Sequence, residues 1–122
     1  AEWASVSEAT ARALNAARQE GRRIIPVGTT SLRTLEAFAD ARGHVHHGQQ
    51  LVNIFIKPGY RIRVASGLIT NFHTPKSTLL LLVAALIGRE TMFELYTIAI
   101  QKKYRFFSFG DAILILGERN PL

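Results

Sequence analysis

Leu68-Ile-Thr-Asn-Phe-His-Thr-Pro-Lys-Ser-Thr-Leu79 decides the reading of this chain. A short β-rich apolar run, Leu68 to Phe72, stops at a cluster of small polar and charged groups. Pro75 and Ser77 then open a strongly apolar helix, Leu79 to Ile87. Strand, polar turn and helix in that order is where α/β proteins place ligands, at the carboxyl end of the strand and the amino end of the helix. This turn concentrates Asn71, His73, Thr74, Lys76, Ser77 and Thr78. A mere connector needs none of them.

The segments around this turn extend the alternation. Val6, Ala9, Ala13, Leu14 and Ala17 recur at helical spacing, and Ser5 with Glu8 fits a capping box. Gly21 stands where a left-handed cap would end that helix. Arg22-Arg-Ile-Ile-Pro-Val27 reads as a strand whose proline marks an edge or a bulge. Gly28–Ser31 is a turn, and Leu32 to Arg42 is a helix stopped by Gly43. Residues 44 to 50 read as polar loop. Leu51 to Ile56 reads as a strand closed by the Pro58-Gly59 turn, and Tyr60 to Val64 as a half-exposed strand with Arg61 and Arg63 on one face. Gly67 suggests a bulge or bend. Thr91 with Glu94 predicts a second capping box, starting a helix to about Lys103. Ala112 to Leu116 is a last buried strand, and 117 to 122 reads as a frayed tail.

Several strands are continuous apolar runs, which implies burial on both faces. The expected fold is therefore α/β: a single domain over 1–122, a layered α/β/α sandwich with a mostly parallel or mixed sheet. Ile24–Val27, Val52–Ile56, Leu68–Phe72 and Ile113–Leu116 would be strands of that one sheet. The turns Gly28–Ser31 and Asn71–Ser77 would lie at the same end of it.

Composition narrows the classes. The chain has 122 residues, 48% of them apolar, which is ordinary for a folded core. There are 15 Lys and Arg against 9 Asp and Glu, a formal charge of +6, and such an excess fits an anionic partner or simply a cationic surface. Cysteine is absent, so disulfides and Cys-ligated zinc are excluded. The amino terminus shows no basic-then-apolar signal pattern. The longest apolar run, Leu79–Ile87, is far short of the ~20 residues a spanning helix needs. The expectation is a cytoplasmic protein with no membrane association.

The candidate site residues follow from residue chemistry. In Val27-Gly-Thr-Thr-Ser-Leu-Arg33, Gly28 allows close backbone approach. The hydroxyls and free amides of Thr29, Thr30 and Ser31 suit a carboxylate, phosphate or ribose, and they equally suit a capped helix start. It is neither a Walker loop nor a dinucleotide fingerprint. His73 fits a general acid or base, or a histidine that pins the turn. Lys76 fits a carboxylate or phosphate, or a solvated side chain. Asp111 fits a ribose hydroxyl, a base or a turn cap. Lys57, Arg61, Arg63, Lys102, Lys103 and Arg105 interleave with Tyr60, Tyr104, Phe106, Phe107 and Phe109, a pattern that suits RNA phosphates and bases or an amphipathic edge. His44, His46 and His47 read as an exposed loop and not a metal cluster, because the spacing is poor and no carboxylate is adjacent.

Taken together, Val27–Glu36, Ile56-Lys-Pro-Gly-Tyr60, Leu68–Leu79 and Tyr104-Arg-Phe-Phe-Ser-Phe-Gly-Asp111 closely resemble the S-adenosylmethionine:tRNA ribosyltransferase-isomerase family of queuosine biosynthesis. The resemblance runs from about Glu2-Trp3 to Leu116, and the four ordered motifs are specific in combination. Thr74, Lys57 and Pro26 are mild departures from the family's usual residues. The resemblance implies a larger enzyme, of which this chain would be the carboxyl-terminal α/β portion without the amino-terminal segments and inserted β-barrel domain. It implies transfer and isomerisation of the ribosyl group of S-adenosylmethionine, a co-substrate, onto a deazaguanine precursor base at the tRNA wobble position. Epoxyqueuosine-tRNA is the product, and adenine and methionine leave. The implied partners are that tRNA and the remaining part of the same enzyme, and no metal is expected.

On that chemistry we expect His73 and Asp111 to move protons. Gly28, Thr29, Thr30, Ser31, Arg33, Asn71, Lys76 and Ser77 would hold S-adenosylmethionine, with Lys76 or Arg33 on its carboxylate. Lys57, Tyr60, Arg61, Arg63 and Arg105 would meet RNA. The alternative is a basic α/β module that binds RNA without catalysis.

Overall fold

Ile69 is the hub of the architecture, because its backbone bonds on both sides. In the computed structural model, which describes residues 2–72, 79–104, 111–117 and 121, Ile69 belongs to strand β3 (Gly67–Asn71). One edge of β3 pairs antiparallel with β4 (Ala112–Leu116), Gly67 opposite Leu116 and Asn71 opposite Ala112. On the other edge the Ile69 N–H donates to the Pro26 carbonyl at 3.0 Å, and the Gly28 N–H donates to the Ile69 carbonyl at 2.7 Å. These bonds make an isolated parallel bridge between Val27 and Ile69.

The expected strand Ile24–Val27 therefore reduces to that one bridge. Pro26 has no N–H to donate the next rung of a parallel ladder. The chain compensates with the Ser66 N–H to Ile24 carbonyl bond at 2.7 Å and the Ile24 N–H to Ser66 hydroxyl bond at 3.0 Å. β3 and β4 lie close to the expected bounds, but β4 is not buried on both faces: Ile113 and Ile115 are buried, while Leu114 and Leu116 are exposed.

A second sheet was not foreseen. β1 (Glu2–Val6) pairs antiparallel with β2 (Gly48–Val52), from Glu2 opposite Val52 to Val6 opposite Gly48. The expected single layered sheet is thus replaced, among the described residues, by two small antiparallel sheets within a mixed α/β fold. The expected strand Val52–Ile56 is displaced to Gly48–Val52, because Gln49 and Gln50 gain backbone partners from β1 that their polar side chains do not announce. Tyr60–Val64 forms no strand.

The helices are closer to expectation. α1 (Glu8–Gln19) is capped by Ser7, whose hydroxyl accepts from the Thr10 N–H at 3.1 Å. The capping residue is therefore Ser7 and not Ser5, which is occupied in β1 opposite Gln49. Gly21 adopts φ +72° just past its end. α2 (Thr29–Ala37) starts earlier and ends sooner than expected, with Gly28 at its N-cap. α3 (Leu79–Ile87) and α4 (Arg89–Gln101) pack together around Gly88, the N-cap of α4, so Thr91 lies inside the first turn and caps nothing.

The core is shared by all of these elements. Leu32, Val45, Ile56, Val64, Leu68 and Val83 are fully buried. Phe72 joins α4 to the sheet, its ring edge-on to Tyr96 with centroids 5.7 Å apart. Gly67 marks close approach rather than a bulge: a Cβ there would sit 2.4 Å from the Ile115 carbonyl oxygen.

Candidate functional site

The Gly28 turn and the end of β3 form one cleft. Val27, Gly28, Thr29, Thr30, Ser31, Ile69, Thr70, Asn71 and Ala112 line an open cavity of about 360 Å³. The two bonds of Ile69 to Pro26 and Gly28 bring these segments together, so the polar turn begins beside the carboxyl end of β3. Gly28 holds φ +96°, a conformation that glycine takes without strain. A Cβ there would meet nothing within 4 Å, so backbone angle and not space selects glycine.

Gly28 has no side chain to cap α2. The amides of Thr29, Thr30 and Ser31 are the first of the helix and have no carbonyl one turn earlier to bond. They sum with the helix dipole into a region that favours a carboxylate, phosphate or hydroxyl oxygen. Asn71, exposed at the end of β3, adds an amide to the same cleft.

Of the residues the sequence nominates for S-adenosylmethionine, Gly28, Thr29, Thr30, Ser31 and Asn71 are brought together. Arg33 is not: it lines a separate, small cavity of about 50 Å³ with Glu2, Trp3, Ala4, Thr30, Thr34 and Val52. Its Nε is buried without a hydrogen-bond partner, and its guanidinium reaches the Thr30 hydroxyl at a long 3.5 Å. Asp111 directly precedes Ala112, a residue of the cleft, and has an interaction partner of its own. His73, Lys76, Ser77 and Arg105 lie outside the described residues.

The basic loop stands at the other end of α2. Glu36, eight positions after Gly28, is about 12 Å further along the helix axis at 1.5 Å per residue. Its side chain is fully buried and organises residues 60–65. One carboxylate oxygen accepts from the Arg63 N–H at 2.7 Å and the Tyr60 hydroxyl at 3.4 Å. The other accepts from the N–H groups of Val64 at 2.9 Å and Ala65 at 3.1 Å. A buried carboxylate needs such donors. Their geometry explains why Tyr60–Val64 is not a strand: its amides serve Glu36 and not a neighbouring strand.

This arrangement divides the expected RNA-facing residues. Lys57 and Arg61 are exposed. Arg63 is half-buried, and its guanidinium donates to the Glu36 carbonyl at 3.0 Å and the Tyr60 hydroxyl at 3.2 Å. Arg63 is therefore a structural strut, not the freely presented partner of Arg61. Burial, ahead of the neighbouring charges, raises the Tyr60 phenol above its ordinary 10.0. Glu36 was not singled out by sequence reasoning. A lone acid among apolar helix residues was the only signal available.

The comparisons with known proteins fit this geometry. The family described as queuosine biosynthesis protein matches residues 1–115. The S-adenosylmethionine:tRNA ribosyltransferase-isomerase of Caldanaerobacter subterraneus is 52% identical over 115 residues, covering 94% of this chain and 34% of that protein. The protein of the same name from Zymomonas mobilis is 53% identical over 117 residues, covering 96% and 34%. The crystal structure of the S-adenosylmethionine tRNA ribosyltransferase of Thermotoga maritima superposes with a TM-score of 0.88 at 44% identity, covering 95% of this chain and 41% of that one. The chain thus spans about a third of the length of the curated relatives it matches. That share agrees with part of a longer enzyme, but the carboxyl-terminal placement expected from the sequence gains no support from it. With a family match over nearly its whole length, this chain belongs to the queuosine biosynthesis protein family.

Proposed function

We propose that this chain forms part of an S-adenosylmethionine:tRNA ribosyltransferase-isomerase. The enzyme transfers and isomerises the ribosyl group of S-adenosylmethionine onto the deazaguanine precursor base at the wobble position of tRNA. The observation behind this reading is the cleft that Thr29, Thr30 and Ser31, at the amino end of α2, line together with Asn71. S-adenosylmethionine offers a carboxylate and ribose hydroxyls, the groups that a helix amino terminus and an amide side chain hold best. The relatives' name as an enzyme favours this reading over a basic module that only binds RNA.

His73 follows Asn71 by two positions in the sequence and is assigned to proton transfer, with Asp111, next to the cleft residue Ala112, as the second titratable group. Lys76 and Ser77 continue the same polar turn. Exposed Lys57 and Arg61, at the far end of α2, are assigned to tRNA phosphate.

The test uses the full-length enzyme that contains this chain, with S-adenosylmethionine and precursor-bearing tRNA. The parent should form epoxyqueuosine-tRNA, and failure to transfer any ribosyl group would overturn the assignment. His73→Ala should lower turnover by roughly 10²–10⁴-fold, the range for a lost acid or base, with much less effect on apparent affinity for S-adenosylmethionine. Near-parental turnover in a folded His73→Gln enzyme would leave His73 as a turn residue only.

A further inference from the structure

Beyond α2 the chain doubles back through residues 39–45. An Ala39–Val45 antiparallel bridge closes the loop. The His46 N–H to Phe38 carbonyl bond and the Asp40 N–H to His44 carbonyl bond, both 2.9 Å, reinforce it. Inside the loop, Asp40 Oδ1 accepts from the N–H groups of Arg42 at 2.9 Å and His44 at 3.0 Å. The His44 amide is the main influence holding the Asp40 carboxyl below its ordinary range. Asp40 Oδ2 faces His46 Nε2 at 3.5 Å, and the rings of His44 and His46 stand 4.9 Å apart. One ligating atom from each of Asp40, His44 and His46 lies within 4.8 Å of the others.

We propose that Asp40, His44 and His46 form a binding site for a divalent transition metal of the zinc or nickel class. Two imidazoles and one carboxylate are a donor set for such ions, with remaining positions left to water. The carboxylate is already oriented: backbone amides occupy Oδ1 and leave Oδ2 toward the imidazoles. Hydrogen bonds of this kind aim the ligands in metal sites. The loop is also anchored. Asn15 of α1 donates to the Val45 carbonyl and accepts from the Val45 N–H, both at 2.9 Å, and its Nδ2 lies 3.3 Å from His44 Nε2. Arg18 of α1 donates to the Arg42 carbonyl. Ligand atoms about 2.0–2.2 Å from one zinc ion sit closer together than 4.8 Å. Both rings are exposed, so rotation of their side chains closes the gap without disturbing the core. The sequence argued against a metal here because no carboxylate adjoins the histidines. The turn supplies one from four positions upstream of His44. The metal would act as a clip that closes residues 40–46 on themselves, in a loop already anchored to α1 by Asn15 and Arg18, away from the Gly28 cleft and independent of the proposed transfer.

Calorimetric titration of the metal-free chain with zinc chloride should give saturable one-to-one binding. Asp40→Asn and His46→Ala should each weaken it more than about tenfold, the least expected when groups that hold a metal are lost. His47→Ala, one position outside the cluster, should leave it unchanged. In the parent protein, zinc should shift the ring proton signals of His44 and His46 but not those of His47, a readout independent of variant folding. Unsaturable binding, undiminished affinity in His46→Ala, an equal loss in His47→Ala, or unmoved His44 and His46 signals would each overturn the site.

Discussion

Replacing Glu36 with Gln tests how much of the fold depends on one buried carboxylate. Its two oxygens accept from three backbone amides and one phenol at 2.7–3.4 Å, with no exposure to solvent. Gln keeps one oxygen and turns the other acceptor into an NH₂ donor. In one orientation that NH₂ confronts the amides of Val64 and Ala65. In the flipped orientation it confronts the Arg63 amide and the Tyr60 hydroxyl, which can rotate to accept. The flipped form is the less costly, and it leaves the Arg63 N–H facing a donor. A buried donor left unsatisfied costs about 1–3 kcal/mol, and each bond to a charged acceptor contributes about 1.5–3 kcal/mol. Glu36→Gln should therefore destabilise by about 2–4 kcal/mol. Glu36→Ala, which orphans all three amides, should cost more, out of the roughly 5–15 kcal/mol typical of a domain. Urea unfolding followed by far-ultraviolet circular dichroism measures the loss. A Glu36→Gln loss below about 1 kcal/mol would refute the reasoning, because the amides would then have found water or other partners at little cost.

The other predictions concern the loop Glu36 holds and the sheet beside the cleft. On the proposed function, Arg61→Ala should lower the salt dependence of tRNA binding by the full-length enzyme by about one counterion. Arg63→Ala should act mainly on thermal stability, since its guanidinium is bound to Glu36 and Tyr60; an equal salt-slope change for both would refute the division. Gly67→Ala should destabilise by roughly 1–3 kcal/mol, because its Cβ would meet the Ile115 carbonyl oxygen at 2.4 Å; an unchanged urea midpoint would refute the close approach. Tyr60 is raised by burial, so its stabilisation is full below the ordinary phenol pKa near 10 and is lost as pH rises through the higher folded value. Tyr60→Phe should accordingly lose less stability between pH 9 and pH 11 than the parent (roughly the window around the ordinary value), and an identical alkaline profile would refute this.

What could be read in the sequence followed apolar patterning. The β3 and β4 runs, the apolar α3 and the periodic α1 declare their element type through apolar patterning, although Ala9 and Ala13 of α1 and Leu114 and Leu116 of β4 are exposed. The expected meeting of the two turns is seen at its described end, where Asn71 lines the cleft with Gly28–Ser31; residues 73–77 of the second turn lie outside the described residues. What stayed hidden was decided by backbone partners. β1 and β2 pair through Glu2, Gln49 and Gln50, which carry no β signal. Tyr60–Val64 alternates like a strand, yet its amides serve Glu36. Pro26 deletes one donor and shrinks an apparent strand to a bridge. Asp40 meets the histidines only because the loop closes at Ala39 and Val45. Arg33 lies on the same turn of sequence as Ser31 but points to another cavity, since helical rotation and not sequence adjacency sets direction.

Ile69 gives the cleft a fixed ruler. Its carbonyl is committed to the Gly28 amide, and Asn71 follows two residues along the same rigid strand. The separation between the helix amides and the Asn71 side chain is thus set by main-chain geometry, not by any side chain that mutation could trim. Thr29, Thr30 and Ser31 become interchangeable fittings on that frame. On the proposed reading, the main-chain amides would still favour a carboxylate or hydroxyl oxygen, and exchanging those three side chains would adjust only the fit around it. A longer ligand would require an inserted residue in β3 and, with it, a new register against β4.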